Sequence, residues 1–271
     1  MIPDTFLHTT LGRTGLPVFR LGLSASYRPG KRAVHRALDE GVNYFFCYGF
    51  DTHMTGVLRE VLPSNREKYV VATGAYNYIW TYQNIRRTLE KRLRRLNTDY
   101  IDVFHLLGVT KRPQFNDRVR DELFALREDP RVRAISISCH DRKFAGELAA
   151  QGLLDALMIR YNAAHRGAES DIFPHLAAHN PGVVSYTATR WTYLLRRPHG
   201  WPRDGRVPTA GMCYRFVLSN PHVHVCLNAP SNLKHFEDNL ASVRQGPLDE
   251  DDMRFMHEFG DAVYRRNKWF W

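Results

Sequence analysis

The sequence predicts an α/β fold: one (β/α)8 TIM barrel domain over residues 1–271, with a short N-terminal β-hairpin and an additional C-terminal helix. Three observations support this prediction. The chain has 271 residues, and barrels of this type typically need about 250. Short apolar runs alternate with amphipathic helical runs in eight strand–helix units. No G-x-G-x-x-G motif follows any strand, which disfavours an open dinucleotide-binding sheet.

The units follow one another from the N-terminus. Phe19–Ser24 and Val42–Cys47 are strand-like runs, and Ala33 and Ala37 lie between them at helical spacing. Leu248–Val263 has helical periodicity and predicts the additional C-terminal helix. The other predicted strands are Tyr69–Thr73, Tyr100–Leu107, Ala134–Ser138, Ala156–Tyr161, Val183–Thr187 and Val223–Leu227.

Charge and targeting signals narrow the class of protein. The net charge is +10, and the densest basic run is residues 86–95. This run also carries Leu89 and Leu93 at helical spacing, so we expect its basic side chains to lie on the solvated face of an amphipathic helix. Nucleic-acid binding is therefore not expected. No segment reaches the roughly 18 apolar residues that a membrane span needs. The N-terminal residues do not have the pattern of a signal peptide, and the four cysteines lack metal-type spacing. We therefore expect a cytoplasmic protein with no metal site and no membrane segment.

Several short stretches, in order along the chain, carry a family resemblance. They are Thr10–Leu16, Leu21–Leu23, Ala37–Phe45, Asp99–Val103, Tyr161–Asn162, Arg166–Glu169 and Glu237–Leu240. Together they resemble the aldo-keto reductases. The resemblance implies a barrel that binds NADP(H) at the C-terminal ends of its strands. It also implies that an aspartate, a tyrosine, a lysine and a histidine assist hydride transfer to a carbonyl.

The catalytic positions that the resemblance implies are largely substituted. Phe46 stands at the position of the aspartate, Gly74 at that of the lysine and Leu107 at that of the histidine. Tyr48 matches the family tyrosine if the chain is a few residues shorter before it; without that gap the aligned residue is Asp51. We therefore predict a divergent member with a degenerate catalytic tetrad.

The positions that contact the cofactor in the family are only partly retained. Those that match are Ser138, Tyr186 and Asn239, which are our candidate cofactor-binding residues. Cys139, Met158 and Ser231 replace an asparagine, a glutamine and the arginine that binds the 2′-phosphate. Serine cannot supply the charge-assisted contacts of a guanidinium. The cofactor therefore stays open, with NADP(H) as the one that the resemblance implies.

Three residues are candidates for acid–base catalysis. Tyr48 follows the second strand, and His140 follows the fifth beside Asp141, a carboxylate that could hold its imidazolium. His105 has the strand parity of Leu107 and should therefore point into the barrel. A hydrogen-bonded core histidine is the alternative for His105.

Four further residues are candidates for substrate binding. Arg160 belongs to the sixth strand and Arg190 follows the neighbouring seventh, and two guanidinium groups there would suit a carboxylate or phosphate. The alternative is that each pairs with a loop carboxylate such as Asp171. Asn162 lies in the loop after the sixth strand, and Trp191 could be an aromatic wall or a packing cap.

Three functions are consistent with these residues. The first is an enzyme that uses repurposed acid–base chemistry on a small polar or anionic metabolite. The second is an atypical NAD(P)H-dependent carbonyl oxidoreductase in which Tyr48 is the acid. The third is a catalytically silent ligand-binding or scaffold barrel.

Overall fold

Eight parallel strands close into a barrel in the computed structural model, which describes residues 4–48, 51–78 and 81–266. The strands are β1 (Leu21–Ser24), β2 (Tyr44–Phe46), β3 (Val70–Tyr78), β4 (Ile101–Val109), β5 (Val132–Cys139), β6 (Ala156–Arg160), β7 (Gly182–Tyr186) and β8 (Val225–Asn228). Each strand pairs with the next along the chain, and β8 pairs with β1, with Cys226 opposite Leu21. The predicted α/β barrel is thus confirmed.

A helix follows each barrel strand. These helices are α1 (Lys31–Asp39), α2 (His53–Asn65), α3 (Ile85–Leu96), α4 (Asp117–Phe124), α5 (Arg142–Gln151), α6 (Ala168–Asp171), α7 (Ala210–Leu218) and α8 (Leu233–Val243). The additional C-terminal helix, α9, spans Glu250–Arg266. The basic run predicted as an amphipathic helix is α3; its leucines are buried and most of its cations exposed, but Arg92 is buried.

The N-terminal hairpin closes the end of the barrel opposite the strand C-termini. His8–Thr10 pairs antiparallel with Pro17–Phe19. The side chain of Asn43 holds the hairpin, because its Oδ1 accepts from Phe19 N–H at 2.7 Å and its Nδ2 donates to the Pro17 carbonyl at 2.8 Å. Leu11 packs with the inward-facing side chains of the barrel. The C-terminal end of the barrel is left to form the site.

β3 extends further toward the site than predicted. β3 continues past Thr73 because Gly74 and Tyr76 stay paired with β4, opposite His105 and Leu107. Asn77 then pairs with Tyr82 in a short antiparallel strand, Thr81–Tyr82. This extension carries Tyr76 to the barrel mouth. The predicted strand at Phe19–Ser24 instead divides between the hairpin and β1.

The part of the chain that the structure describes contains no helix long and apolar enough to cross a bilayer. Over the same residues, no group of three or more His, Cys, Asp or Glu is arranged to hold a metal ion.

Candidate active site at the barrel mouth

A cavity of about 490 Å³ opens at the C-terminal ends of the strands, where barrel enzymes place their catalytic groups. Its wall consists of aromatic, hydroxyl-bearing and small aliphatic residues together with His140. The lining residues are Ser24, Ser26, Tyr27, Phe46, Tyr48, Tyr76, Leu107, Gly108, Ser138, His140, Met158, Tyr186, Thr187, Ala188, Thr189, Trp191, Tyr214, Leu227 and Ala229. Among these described lining residues there is no aspartate, glutamate, lysine or arginine.

Tyr48 lines this cavity at the head of a chain of hydroxyl groups. Its Oη donates to Ser26 Oγ at 2.7 Å, and Ser26 Oγ lies 2.8 Å from Ser24 Oγ. Its ring packs against Phe46, with 4.9 Å between centroids. The centroid of the Tyr76 ring lies 6.1 Å from that of Tyr48. Ser24 ends β1 and Ser26 follows it, and the rule that barrel sites lie at strand C-termini could have identified both from sequence.

Uncharged residues occupy the three positions at which the family has an aspartate, a lysine and a histidine. Phe46 and Leu107 line the cavity, and the Phe46 ring meets His105 edge-on at 5.5 Å. A Cβ added at Gly74 would collide with the backbone carbonyl of His105. Position 74 therefore has no room for a longer side chain with this backbone. Tyr76, the next residue of the same parity on β3, lines the cavity, and burial raises its pKa.

His140, Ser138 and Tyr186 come together on the other side of the cavity. The backbone N–H of His140 donates to the Val109 carbonyl at 2.8 Å, and its ring centroid lies 5.6 Å from that of Tyr186. Burial raises the pKa of Tyr186, while the charge of Arg160 opposes this rise. Asp141, the carboxylate next to His140, caps α5, because its Oδ1 accepts from Phe144 N–H at 3.1 Å.

His105 is fully buried inside the barrel and does not line the cavity. Burial lowers its pKa to about 3, so the ring is neutral at physiological pH. Neither ring nitrogen has a hydrogen-bond partner among the described residues. This placement favours the core interpretation of His105 over a catalytic one, although the expected hydrogen bonds are not formed.

Arg160 and Arg190 belong to a separate cluster around His165, and neither lines the cavity. Arg190 is fully buried, and its Nε donates to His165 Nε2 at 2.8 Å. Burial, followed by the charges of Arg160, Arg190 and Arg142, lowers the pKa of His165 to about 3. Asp171 pairs with Arg142 at 2.8 Å rather than with either candidate arginine.

Asn162 organises loops instead of lining the cavity. Its Oδ1 accepts from the backbone N–H of His165 at 2.9 Å, and its Nδ2 donates to the Thr187 carbonyl at 2.9 Å. Trp191 does line the cavity, and 44% of its surface is exposed. Of the four candidate substrate-binding residues, Trp191 is therefore the one that the structure places at the cavity.

The loop that carries Trp191 has an unusual backbone. Thr187, Arg190, Trp191 and Thr192 have φ values of 59°, 50°, 51° and 70°. Each non-glycine residue in this left-handed region costs about 1–3 kcal/mol, and such residues cluster at functional sites. No sequence signal reveals this strain, because none of the four is a glycine or asparagine.

A second cavity of about 740 Å³ adjoins the first and shares Tyr27, Thr189, Tyr214 and Ala229 with it. Asn239 lines it, with its Nδ2 donating to Asn228 Oδ1 at 3.0 Å. The first turn of α7 also lines it; this helix is capped by Thr209, whose Oγ1 accepts from Met212 N–H at 3.2 Å. Ser231 lines the same cavity, 2.9 Å from His235 Nδ1.

Comparisons with known proteins identify the family of this chain. The family model described as the aldo/keto reductase family matches residues 21–200. The chain belongs to the aldo-keto reductase family. It is 25% identical over 319 residues to the uncharacterized oxidoreductase YrpG of Bacillus subtilis, an alignment that covers 93% of this chain and 95% of YrpG.

Solved structures show the same fold. The holo form of aldo-keto reductase AKR11C1 from Bacillus halodurans superposes with a TM-score of 0.78 at 20% identity, covering 94% of this chain and 96% of that one. The apo form of AKR11C1 gives a TM-score of 0.75 at 21% identity with the same coverage. Together with the family match, these likenesses identify an aldo-keto-reductase-like oxidoreductase barrel.

Proposed function

We propose that the protein is an atypical nicotinamide-dependent carbonyl oxidoreductase in which Tyr48 donates the proton. The observation that carries this proposal is the pair of adjoining cavities, about 490 and 740 Å³. Each has the size of a small-molecule site. The first, which we call the inner cavity, contains the Tyr48 hydroxyl as a proton donor. The second, the outer cavity, continues the same groove over the barrel mouth.

The residues along this groove fit a nicotinamide dinucleotide. The first turn of α7, at Ala210 and Gly211, lines the outer cavity, and the N-terminus of a helix favours an anion such as a diphosphate. Tyr186 and Ser138 would hold the nicotinamide end, and Asn239 the adenine end. When bound, the cofactor would supply the hydride to a carbonyl carbon.

The protein's own contribution is to position the carbonyl and deliver a proton. The Tyr48 hydroxyl can donate a hydrogen bond to a carbonyl oxygen in the inner cavity and then transfer its proton to the alkoxide. Ser26 and Ser24 extend the hydroxyl chain through which that proton is replaced. Since no described residue lining the inner cavity is a lysine or arginine that would stabilise the phenolate, we expect slow turnover compared with an assisted acid, which contributes roughly 10²- to 10⁴-fold.

The uncharged wall favours this chemistry over the acid–base reactions considered first. Isomerisation, elimination and hydrolysis develop charge that must be stabilised by preorganised charges or dipoles. In a hydride transfer the cofactor carries the difficult step, and a single acid suffices. The acid–base alternative retains one supporting observation, namely that His140 lines the cavity beside Tyr186.

The test combines cofactor binding with a matched pair of variants. NADH and NADPH are titrated into the full chain by calorimetry, and reduction of an aldehyde is then followed at saturating cofactor. Tyr48→Phe should lower turnover at least about 100-fold while cofactor affinity stays unchanged. Tyr193→Phe is the control, because Tyr193 is exposed and does not line the cavity.

Each other outcome contradicts the proposal in a distinct way. Turnover that survives Tyr48→Phe but is lost in His140→Ala would support acid–base chemistry by His140. Binding of cofactor and aldehyde without turnover would support a silent ligand-binding barrel. Failure of both nicotinamide cofactors to bind at millimolar concentration would exclude a dehydrogenase or reductase.

A further inference from the structure

The charge on the inner cavity wall bears on the kind of substrate. None of the described residues lining it carries a permanent charge at neutral pH, and His140 is its one imidazole. An ionised carboxylate or phosphate placed there would lose its hydration without gaining an ionic partner. Burying such a charge unpaired is far more costly than burying a neutral polar group.

Neither the two candidate arginines nor the buried Arg92 changes that conclusion. Arg160 and Arg190 lie in their own cluster, where their charges lower the pKa of His165. Arg92 is buried on α3, where its charge interacts with Cys47 and Tyr76. None of the three lines the cavity. The sequence-based expectation of an anionic metabolite depended on Arg160 and Arg190 facing the site.

Aromatic rings occupy the wall on both sides. Phe46, Tyr48 and Tyr76 come from β2 and β3 and pack against one another. Tyr186 comes from β7, four strands away around the barrel from β3, and packs against His140. Aromatic pairs add about 0.5–1.5 kcal/mol to the burial of their area. The hydroxyl groups of these tyrosines can satisfy a small number of polar atoms on a bound ring.

Trp191 completes the wall from a loop that is anchored in the protein interior. It lines the cavity, while the adjacent Arg190 is fully buried and donates to His165 at 2.8 Å. Both residues have positive φ. This conformation holds an indole ring at the cavity.

We infer that the substrate is an uncharged aromatic compound and that Trp191 is a specificity-determining residue for it. That this compound carries a carbonyl group depends on the proposed function. That it is uncharged and aromatic is inferred from the residues of the cavity wall alone. Hydroxyl groups on the wall bind the polar substituents, and the rings of Tyr48, Tyr76 and Trp191 pack on the aromatic plane, while Tyr186 is left to the nicotinamide of the proposed cofactor.

The test uses two probes of matched size that differ in charge, 4-formylbenzamide and 4-formylbenzoate. Each is titrated into the full chain by calorimetry at pH 7, first without dinucleotide and then with NADH. The amide should bind at least about tenfold more tightly than the carboxylate, since the latter is buried without an ionic partner. Benzaldehyde should also bind more tightly than cyclohexanecarbaldehyde, which has a similar size but no aromatic ring.

Variants assign the effect to the indole ring. Trp191→Ala should weaken binding of 4-formylbenzamide about tenfold, and Trp191→Phe should recover most of that loss. Tyr193→Ala is the matched control in the same loop: its ring is exposed, packs over Arg190 and does not line the cavity. It should leave binding unchanged.

Equal or tighter binding of 4-formylbenzoate would overturn the inferred neutrality. Equal binding of cyclohexanecarbaldehyde would overturn the aromatic requirement, and failure of every probe to bind at millimolar concentration would overturn both. Discrimination between the probes without NADH-dependent reduction would instead contradict the proposed function and leave the inferred ligand class standing.

Discussion

Gly74 provides a sharp test of how closely β3 and β4 approach beneath the active site. A Cβ at this position would meet the carbonyl oxygen and carbon of His105 well inside the 3.4 Å at which ordinary van der Waals contact begins. Backbone atoms cannot turn aside as a flexible side chain would. Gly74→Ala must therefore push apart two strands that are paired from Ala72–Val103 to Tyr76–Leu107.

We expect Gly74→Ala to lower the free energy of unfolding by about 3 kcal/mol, the upper end of the usual cost of overpacking. For a domain of this size that corresponds to a fall in Tm of roughly 6–12 °C, because each kcal/mol shifts Tm by about 2–4 °C. Thermal unfolding followed by circular dichroism measures it. By the same reasoning, Gly74→Lys should fail to restore a catalytic lysine.

Gly56→Ala is the matched control. Gly56 lies within α2, and the nearest atom to an added Cβ is Lys31 Cε at 3.9 Å. Alanine should be neutral there or should stabilise the helix by about 0.5–1 kcal/mol. If Gly74→Ala melted within about 2 °C of the parent chain, the conclusion that position 74 is sterically closed would be refuted.

Two further predictions concern buried ionisable groups. Because the folded-state pKa of His105 is lowered to about 3 from 6.5, its contribution to stability is present above pH 6.5 and is lost as the pH falls toward 3. His105→Leu should therefore reduce the slope of the unfolding free energy against pH, between pH 6 and 4, by about 1.4 kcal/mol per pH unit. Denaturant titrations at several pH values measure this slope, and His35→Gln, at an exposed histidine, is the control. An unchanged slope in His105→Leu would contradict the prediction. Asp102→Asn should lower the free energy of unfolding by about 3 kcal/mol, since Asp102 is fully buried and pairs with Arg66 at 2.6 Å. Asp99→Asn, at an exposed aspartate, should leave it almost unchanged in the same assay. Equal effects of the two substitutions would show that the buried pair does not stabilise the fold.

Periodicity and strand count were sufficient to predict the barrel, because parallel strands buried on both faces are continuous apolar runs. The ends of the strands were harder to predict. The third strand was predicted to end at Thr73, just before Gly74, yet pairing with β4 carries it on to Tyr78. A glycine in a sequence cannot distinguish the end of a strand from a close approach between two strands.

The candidate site was predictable in part. The rule that the site lies at strand C-termini correctly directed attention to Tyr48, Ser138, His140, Tyr186 and Trp191, all of which line the cavity. The directions of long side chains could not be read from sequence. Arg160 ends β6 and Arg190 lies in the loop after β7, but tertiary contacts place both in the cluster around His165.

The hydride itself offers the most direct test of the proposed function. NADH carrying deuterium at the transferred position of its nicotinamide ring is incubated with the full chain and 4-formylbenzamide, and the alcohol is analysed by mass spectrometry. We predict one deuterium on the carbonyl carbon of the product, with formation of that product at least about 100-fold slower in Tyr48→Phe. An alcohol without deuterium, or unchanged aldehyde after prolonged incubation with bound NADH, would contradict the assignment of this barrel as a nicotinamide-dependent reductase.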